Sequence, residues 1–160
     1  MTTAPAINYT TFMDRLRGLV DPGRLGNAIT MLRAERFQLF SQVEDDSLTG
    51  VVRSQSSASR VYSCRLAGNG DFACCTQNLR PCGGLRGAVC KHLLVLLVGL
   101  ARSGAVRPEV VEQWVRTSRT RRPILDKDVM TATFLRYKGA EAGEVDWRPT
   151  ETIPEDFYTF

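Results

Sequence analysis

The chain has 160 residues, of which 43% are hydrophobic and 24% are charged, and its formal net charge is +4. This composition suits one globular domain with a single core, and it excludes a disordered chain, a histone-like polycation and a pair of full domains. The cysteines are unevenly distributed, because four of the five lie with the only histidine between Cys74 and His92. We therefore expect the functional site to lie in this window.

No part of the sequence predicts secretion or membrane insertion. The first twenty residues lack the basic and apolar regions of a signal peptide, and the longest apolar run, 93–98, is far below the ~18 residues of a membrane span. We therefore expect a soluble, cytoplasmic protein with no membrane partner. An odd number of cysteines in a reducing compartment argues against a disulfide framework and leaves the thiols available to a metal.

Residues 1–35 predict an N-terminal helical segment. Phe12, Leu16 and Leu19 recur at helical spacing, and the sequence Asp21-Pro22-Gly23 is expected to end this first helix. A second short helix is expected over about 24–33, so the segment predicts a helical hairpin.

Residues 36–104 predict a module of strands followed by a helix. The expected strands are 37–43, 48–54, 61–66 and 71–75. Asn69-Gly70 predicts a two-residue hairpin turn between the last two strands. The glycine-bearing segment 76–89 suits neither helix nor strand, so we expect a metal to hold it. The helix expected over 93–102 is apolar nearly all round, which predicts burial against the sheet.

Residues 105–142 predict two C-terminal helices, one over 108–117 and one capped by Asp126 that ends near Gly139. Residues 143–160 form an acidic tail with a net charge of −4. Since the whole chain has a net charge of +4, the residues before the tail have a net charge of +8. The predicted class is α+β: a small antiparallel sheet of three or four strands, with a zinc-bound loop leading into a buried helix, between an N-terminal helical hairpin and C-terminal helices.

The candidate zinc ligands are Cys74, Cys82, Cys90 and His92, with Cys75 as the alternative first ligand. Structural zinc takes four N or S donors in a tetrahedron, which a hairpin end and a helix start commonly supply. Because successive strand residues point to opposite faces, Cys74 and Cys75 do not easily serve one ion together. The competing interpretation makes the thiols core residues and His92 an ordinary residue at a helix start.

The pattern over 48–100 resembles the SWIM-type zinc finger, here of the small, stand-alone bacterial type. In that family a Cys-x-Cys at the end of a strand pair is followed by a spacer and by a Cys-x-His that opens an apolar helix. Cys90-Lys91-His92-Leu93-Leu94 matches the second half, and Val61–Leu66 matches the preceding strand. The first half departs from the pattern, because the adjacent pair Cys74-Cys75 stands in place of Cys-x-Cys and Cys82 replaces the missing donor.

This departure leaves two candidates for the first ligand. We favour Cys74, because Thr76 then occupies the position of the lost second cysteine. Cys75 is the alternative. A two-residue turn would place Cys75 opposite Cys64 on the face of Tyr62, which suits a small buried side chain. Cys64 and one member of the pair are therefore expected to be core thiols.

The resemblance implies binding rather than catalysis. SWIM modules look like DNA-binding or protein-interaction elements, and they occur in transposases, helicase-associated proteins, recombination mediators and bacterial multiprotein ATPase systems. The sequence adds that the only histidine is already assigned to the metal and that a His-x-Glu deaminase motif is absent. We therefore expect a non-enzymatic subunit or adaptor of a larger protein assembly, such as an ATPase system, without a small-molecule substrate.

Nucleic acid binding is the alternative function. Its candidate phosphate contacts are Arg116, Arg119, Arg121 and Arg122, because a guanidinium binds phosphate through two parallel hydrogen bonds. A second candidate patch around the zinc loop comprises Arg80, Arg86 and Lys91.

The acidic tail offers further alternatives. It could dock on the first arginine patch and compete with an outside ligand. Its large apolar residues either pack on the domain itself or anchor in a protein partner. These residues are Trp147, Ile153, Phe157, Tyr158 and Phe160.

Overall fold

The computed structural model describes residues 5–142, which form five helices and one four-stranded sheet. The elements are α1 (Tyr9–Arg17), α2 (Pro22–Ala34), β1 (Gln38–Val43), β2 (Ser47–Arg53), β3 (Val61–Ala67), β4 (Phe72–Thr76), α3 (Lys91–Ser103), α4 (Pro108–Ser118) and α5 (Lys127–Ala142). The predicted α+β class is confirmed. None of the helices within 5–142 has the length and apolar content needed to cross a bilayer. The acidic tail and its aromatic residues lie outside the described residues.

Helix capping sets the start of α1 and of α2. The side chain of Asn8 accepts a hydrogen bond from Thr11 N at 2.7 Å, and that of Asp21 accepts one from Arg24 N at 2.9 Å. Asp21 and Pro22 were expected only to end the first helix, but they begin the second. The reason is that a carboxylate at the cap satisfies a free N–H, and a proline in the first turn has no N–H to satisfy.

The β3–β4 hairpin determines which cysteines face each other. Its loop contains the three residues 68–70, and Gly70 has a φ of 94°. The prediction of a two-residue turn is therefore wrong by one residue. The loop has a third residue because Gly70 readily adopts the positive φ that this longer turn requires. The resulting register pairs Cys64 with Cys74 and leaves Cys75 opposite Ser63.

The sheet is covered on both faces. Neighbouring strands are antiparallel and pair in chain order. One face packs against α1 to α4 and forms the main core, in which every residue of α3 from His92 to Ala101 is buried. This confirms that the apolar helix is buried against the sheet. On the other face, Met130 and Phe134 of α5 pack with Val51 and Cys75.

Glu112 of α4 links α1 to α4. Its carboxylate accepts hydrogen bonds from Arg15 of α1 at 3.1 Å and from Arg116 of α4 at 2.6 Å. Burial alone would raise the pKa of Glu112, but the two guanidinium groups outweigh burial and lower it. Residues of α1, α2 and α4 share one core with the buried face of the sheet and with α3.

Gly50 of β2 lies in close contact with both α3 and β1. A Cβ at this position would lie 2.5 Å from Leu96 Cδ1 and 2.5 Å from the Phe40 carbonyl oxygen. The main-chain oxygen cannot move aside, so Gly50→Ala should destabilise the protein by roughly 2 kcal/mol. Urea denaturation followed by circular dichroism measures this loss as a lower midpoint.

Gly26→Ala is the matched control. A Cβ at Gly26, which is exposed in α2, has no atom within 4 Å. The substitution should raise stability by about 0.5–1 kcal/mol, because alanine loses less backbone freedom in a helix than glycine does. Equal midpoints for the two variants would contradict the close packing at Gly50.

Candidate metal centre

The metal loop, defined as residues 77–90, runs from the end of β4 to the start of α3 and turns back on β4 at once. Thr76 N donates to the Arg80 carbonyl oxygen at 2.9 Å, and Leu79 adopts a φ of 61° within this turn. Cys82 N then donates to the Cys74 carbonyl oxygen at 2.8 Å. The turn therefore places Cys82 directly beside Cys74.

Four ligand atoms converge between β4, the metal loop and α3. The sulfur atoms of Cys74, Cys82 and Cys90 and a ring nitrogen of His92 all lie within 4.8 Å of one another. His92 Nδ1 is 3.5 Å from Cys82 Sγ, and all four side chains are buried. Three thiols and one imidazole match the donor set of a tetrahedral metal site. The structure thus brings together the four residues that the sequence analysis favoured.

Cys75 and Cys64 lie outside this set of four. Cys75 points to the opposite face of the sheet, and burial raises its pKa to about 12. Cys64 is fully buried with its sulfur 3.7 Å from the sulfur of Cys74. The expected placement of Cys75 opposite Cys64 is wrong, and Cys74 is the member of the pair that faces the candidate ligands.

The three thiols of the cluster have unequal acidities. Hydrogen bonds from Cys74 and Cys90 hold the pKa of Cys82 well below its ordinary value, with a further contribution from Gly84 N at 3.4 Å. Burial is the main reason that the pKa of Cys74 is raised. For Cys90, the hydrogen bond with Cys74 lowers the pKa, but the neighbouring Cys82 and burial outweigh it. A divalent cation would displace the remaining thiol protons, because metal-bound cysteine is a thiolate.

Two residues that hold the candidate ligands in place were not predicted from the sequence. The Tyr62 ring stacks on His92, with 3.9 Å between centroids and 17° between planes. Arg24 of α2 donates to the carbonyl oxygens of Leu85 and Val89, both at 3.0 Å, and so anchors the metal loop. Because alternate residues of a strand share a face, the sequence of β3 already places Tyr62 on the same face as Cys64, which could have indicated its contact with the site. Arg24 offered none, because no local pattern indicates a contact with a distant loop.

A basic cavity of about 700 Å³ opens beside Cys82 and His92. The first turns of α2 and α3 and part of the metal loop line it, and its basic side chains are Arg24, Arg60, Arg86 and Lys91. Arg86 has a φ of 41°, a strained conformation for a residue other than glycine. Of the second patch expected from the sequence, Arg86 and Lys91 line this cavity, whereas Arg80 does not.

The first arginine patch is partly neutralised within the chain. Arg116 pairs with Glu112 at 2.6 Å, and Arg121 pairs with Asp71 at 3.6 Å. The other two members, Arg119 and Arg122, make no ion pair with any residue in 5–142.

Comparisons with known proteins place the chain in no family. No family model matches it, and neither the curated proteins nor the solved structures contain a significant match. The class of the site therefore rests on its geometry, which is that of a buried cluster of three cysteines and one histidine able to hold a metal ion.

The assignment of the first ligand can be tested by paired substitutions. The unsubstituted protein is expected to hold about one divalent ion per chain. Cys74→Ala should remove most of it, because three donors bind more weakly than four. Cys75→Ala should leave the metal content unchanged, since its thiol lies on the opposite face. Native mass spectrometry measures both, and loss of metal from the Cys75 variant alone would reverse the assignment.

Proposed function

We propose that the protein is a zinc-stabilised interaction module without catalytic activity, and that it acts as a subunit or adaptor of a larger protein assembly. The observation that supports this proposal is the donor set of four buried protein ligands. Structural zinc sites use four protein donors, whereas catalytic zinc sites keep one position open for water or substrate. A set rich in thiolates also favours zinc over magnesium, calcium or manganese.

A nucleophilic Cys–His pair is the main chemical alternative. The 3.5 Å separation of Cys82 Sγ and His92 Nδ1 would suit such a pair, as would the lowered pKa of Cys82. That interpretation leaves Cys74 and Cys90 as two buried thiols with no role at the same point. A metal uses all four residues, so the metal accounts for more of the site.

The SWIM resemblance supports the same proposal. A strand end, a loop and the Cys-x-His at the start of a buried helix supply the candidate ligands, in the order that the resemblance implies. The N-terminus of α3 lies at the cluster, where the helix dipole favours negatively charged sulfur. A bound zinc ion would hold the metal loop on α3 and thereby shape the surface around it for a partner. An assembly with a bacterial ATPase is one setting that the resemblance suggests.

Zinc content and stability test the zinc-stabilised part of this proposal. Protein purified without chelator should contain about one zinc ion per chain, and modification of its thiols should release it. Removing the metal should abolish the cooperative thermal transition, because the binding energy of structural zinc is part of the folding energy. A metal indicator dye measures release, and near-UV circular dichroism follows the structure. Metal-free native protein whose Cys82 is rapidly alkylated would instead favour the nucleophilic pair.

The basic cavity favours nucleic acid as a second candidate ligand. Arg60, Arg86 and Lys91 surround it, and Asp21 is the single acidic residue in its lining. Two helix N-termini, those of α2 and α3, also line it, and helix N-termini favour phosphate. This concentration of positive charge lies beside Cys82 and His92.

Charge reversal separates the two basic surfaces. If nucleic acid binds at the cavity, Arg60→Glu with Arg86→Glu should weaken binding and reduce the salt dependence by about one unit for each lost phosphate contact. Arg119→Glu with Arg122→Glu changes the net charge equally and should have little effect. Titrations of labelled duplex and single-stranded DNA over a range of salt concentrations measure both. If wild-type protein binds neither DNA at low salt, the nucleic acid candidate fails and the protein-assembly proposal is retained.

A further inference from the structure

An open groove lies on the face of the sheet away from the metal centre. The α5 groove, as we call it, has a volume of about 390 Å³ and runs between α5, the start of β3 and the turn after β4. Its apolar lining includes Val61, Leu79, Phe134 and Leu135. Leu135 is 63% exposed, which is high for a leucine beside a buried cluster. The groove therefore offers apolar surface that residues 5–142 leave accessible.

The rim of the α5 groove is polar and mainly basic. Arg53 and Lys138 line it together with one acid, Glu141, whose carboxylate accepts a hydrogen bond from Tyr137 at 2.9 Å. The guanidinium of Arg53 and the ammonium of Lys138 give this rim its positive charge. The groove thus fits a ligand that combines apolar side chains with carboxylates.

We propose that the α5 groove binds the chain's own C-terminal segment, residues 143–160. This segment follows α5 directly, and it contains five carboxylates and a single arginine. Its carboxylates complement Arg53 and Lys138, and its apolar side chains match the lining of the groove. These side chains are Trp147, Ile153, Phe157, Tyr158 and Phe160.

The segment is long enough to cover the groove. The part of α5 that lines it, from Thr131 to Glu141, extends over about 15 Å at 1.5 Å per residue. An extended chain covers that length in about five residues. A segment that reversed direction after Ala142 would therefore span the groove within about its first five residues. Trp147 lies within this reach. Direct attachment also gives the segment an effective concentration near the millimolar range, which favours docking within one chain over docking on a second copy.

Tryptophan fluorescence of the full-length chain tests this proposal. The chain has two tryptophans, so Trp114→Phe leaves Trp147 as the only reporter. Trp147 should emit at shorter wavelength, and acrylamide should quench it several-fold less, than in a synthetic peptide of residues 143–160. Leu135→Glu or Lys138→Glu should shift both values toward those of the peptide. Ile124→Glu is the matched control and should change neither, because Ile124 is 52% exposed but does not line the groove.

Three results would overturn the proposal. The first is Trp147 that is quenched as strongly in the full-length chain as in the peptide. The second is protection of Trp147 from quenching that persists in both groove variants. If Arg119→Glu then removes this protection, the segment docks on the arginine patch instead of the groove. The third is an emission wavelength that changes on dilution, which would assign docking to a second copy. Circular dichroism of each variant establishes that the domain is folded, so that a shift reports on docking.

Discussion

The convergence of Cys74, Cys82, Cys90 and His92 is the constraint on which the arrangement around the site depends. It joins the last strand, the metal loop and the start of the buried helix at one point. The metal loop contains neither helix nor strand, so its path depends on this junction, on the main-chain bond between Cys82 and Cys74, and on Arg24. In the proposed function a zinc ion converts these contacts into coordinate bonds, which are far stronger than hydrogen bonds between thiols.

The sheet separates two surfaces of different chemistry. On the side of the main core lies the candidate metal centre, with a basic cavity beside Cys82 and His92. On the side of α5 lies a groove that combines apolar side chains with Arg53 and Lys138. Both surfaces lie on one framework, because α3 and α5 pack on opposite faces of the same four strands.

Ion pairs within the chain leave fewer arginines available to an anionic ligand than the net charge alone suggests. Glu112 uses Arg15 and Arg116 to hold α1 on α4, and Asp71 pairs with Arg121 at the end of α4. Part of the positive charge in the arginine patch therefore contributes to folding and is not free to bind phosphate. The basic residues around the cavity are opposed by the single carboxylate of Asp21, which also caps α2.

The sequence by itself determined the α+β class, the order of the elements and three of the four residues that meet at the site, Cys82, Cys90 and His92. It could do so because hydrophobic period, turn residues and ligand spacing are local properties of the chain. The choice between Cys74 and Cys75 required the tertiary structure, since it depends on one residue of loop length. Gly70 in that loop lies against Thr117 of α4, a contact that no local pattern encodes. The position of α5 on the second face, the anchoring of the metal loop by Arg24 and the neutralisation of Arg116 and Arg121 likewise depend on contacts between distant segments.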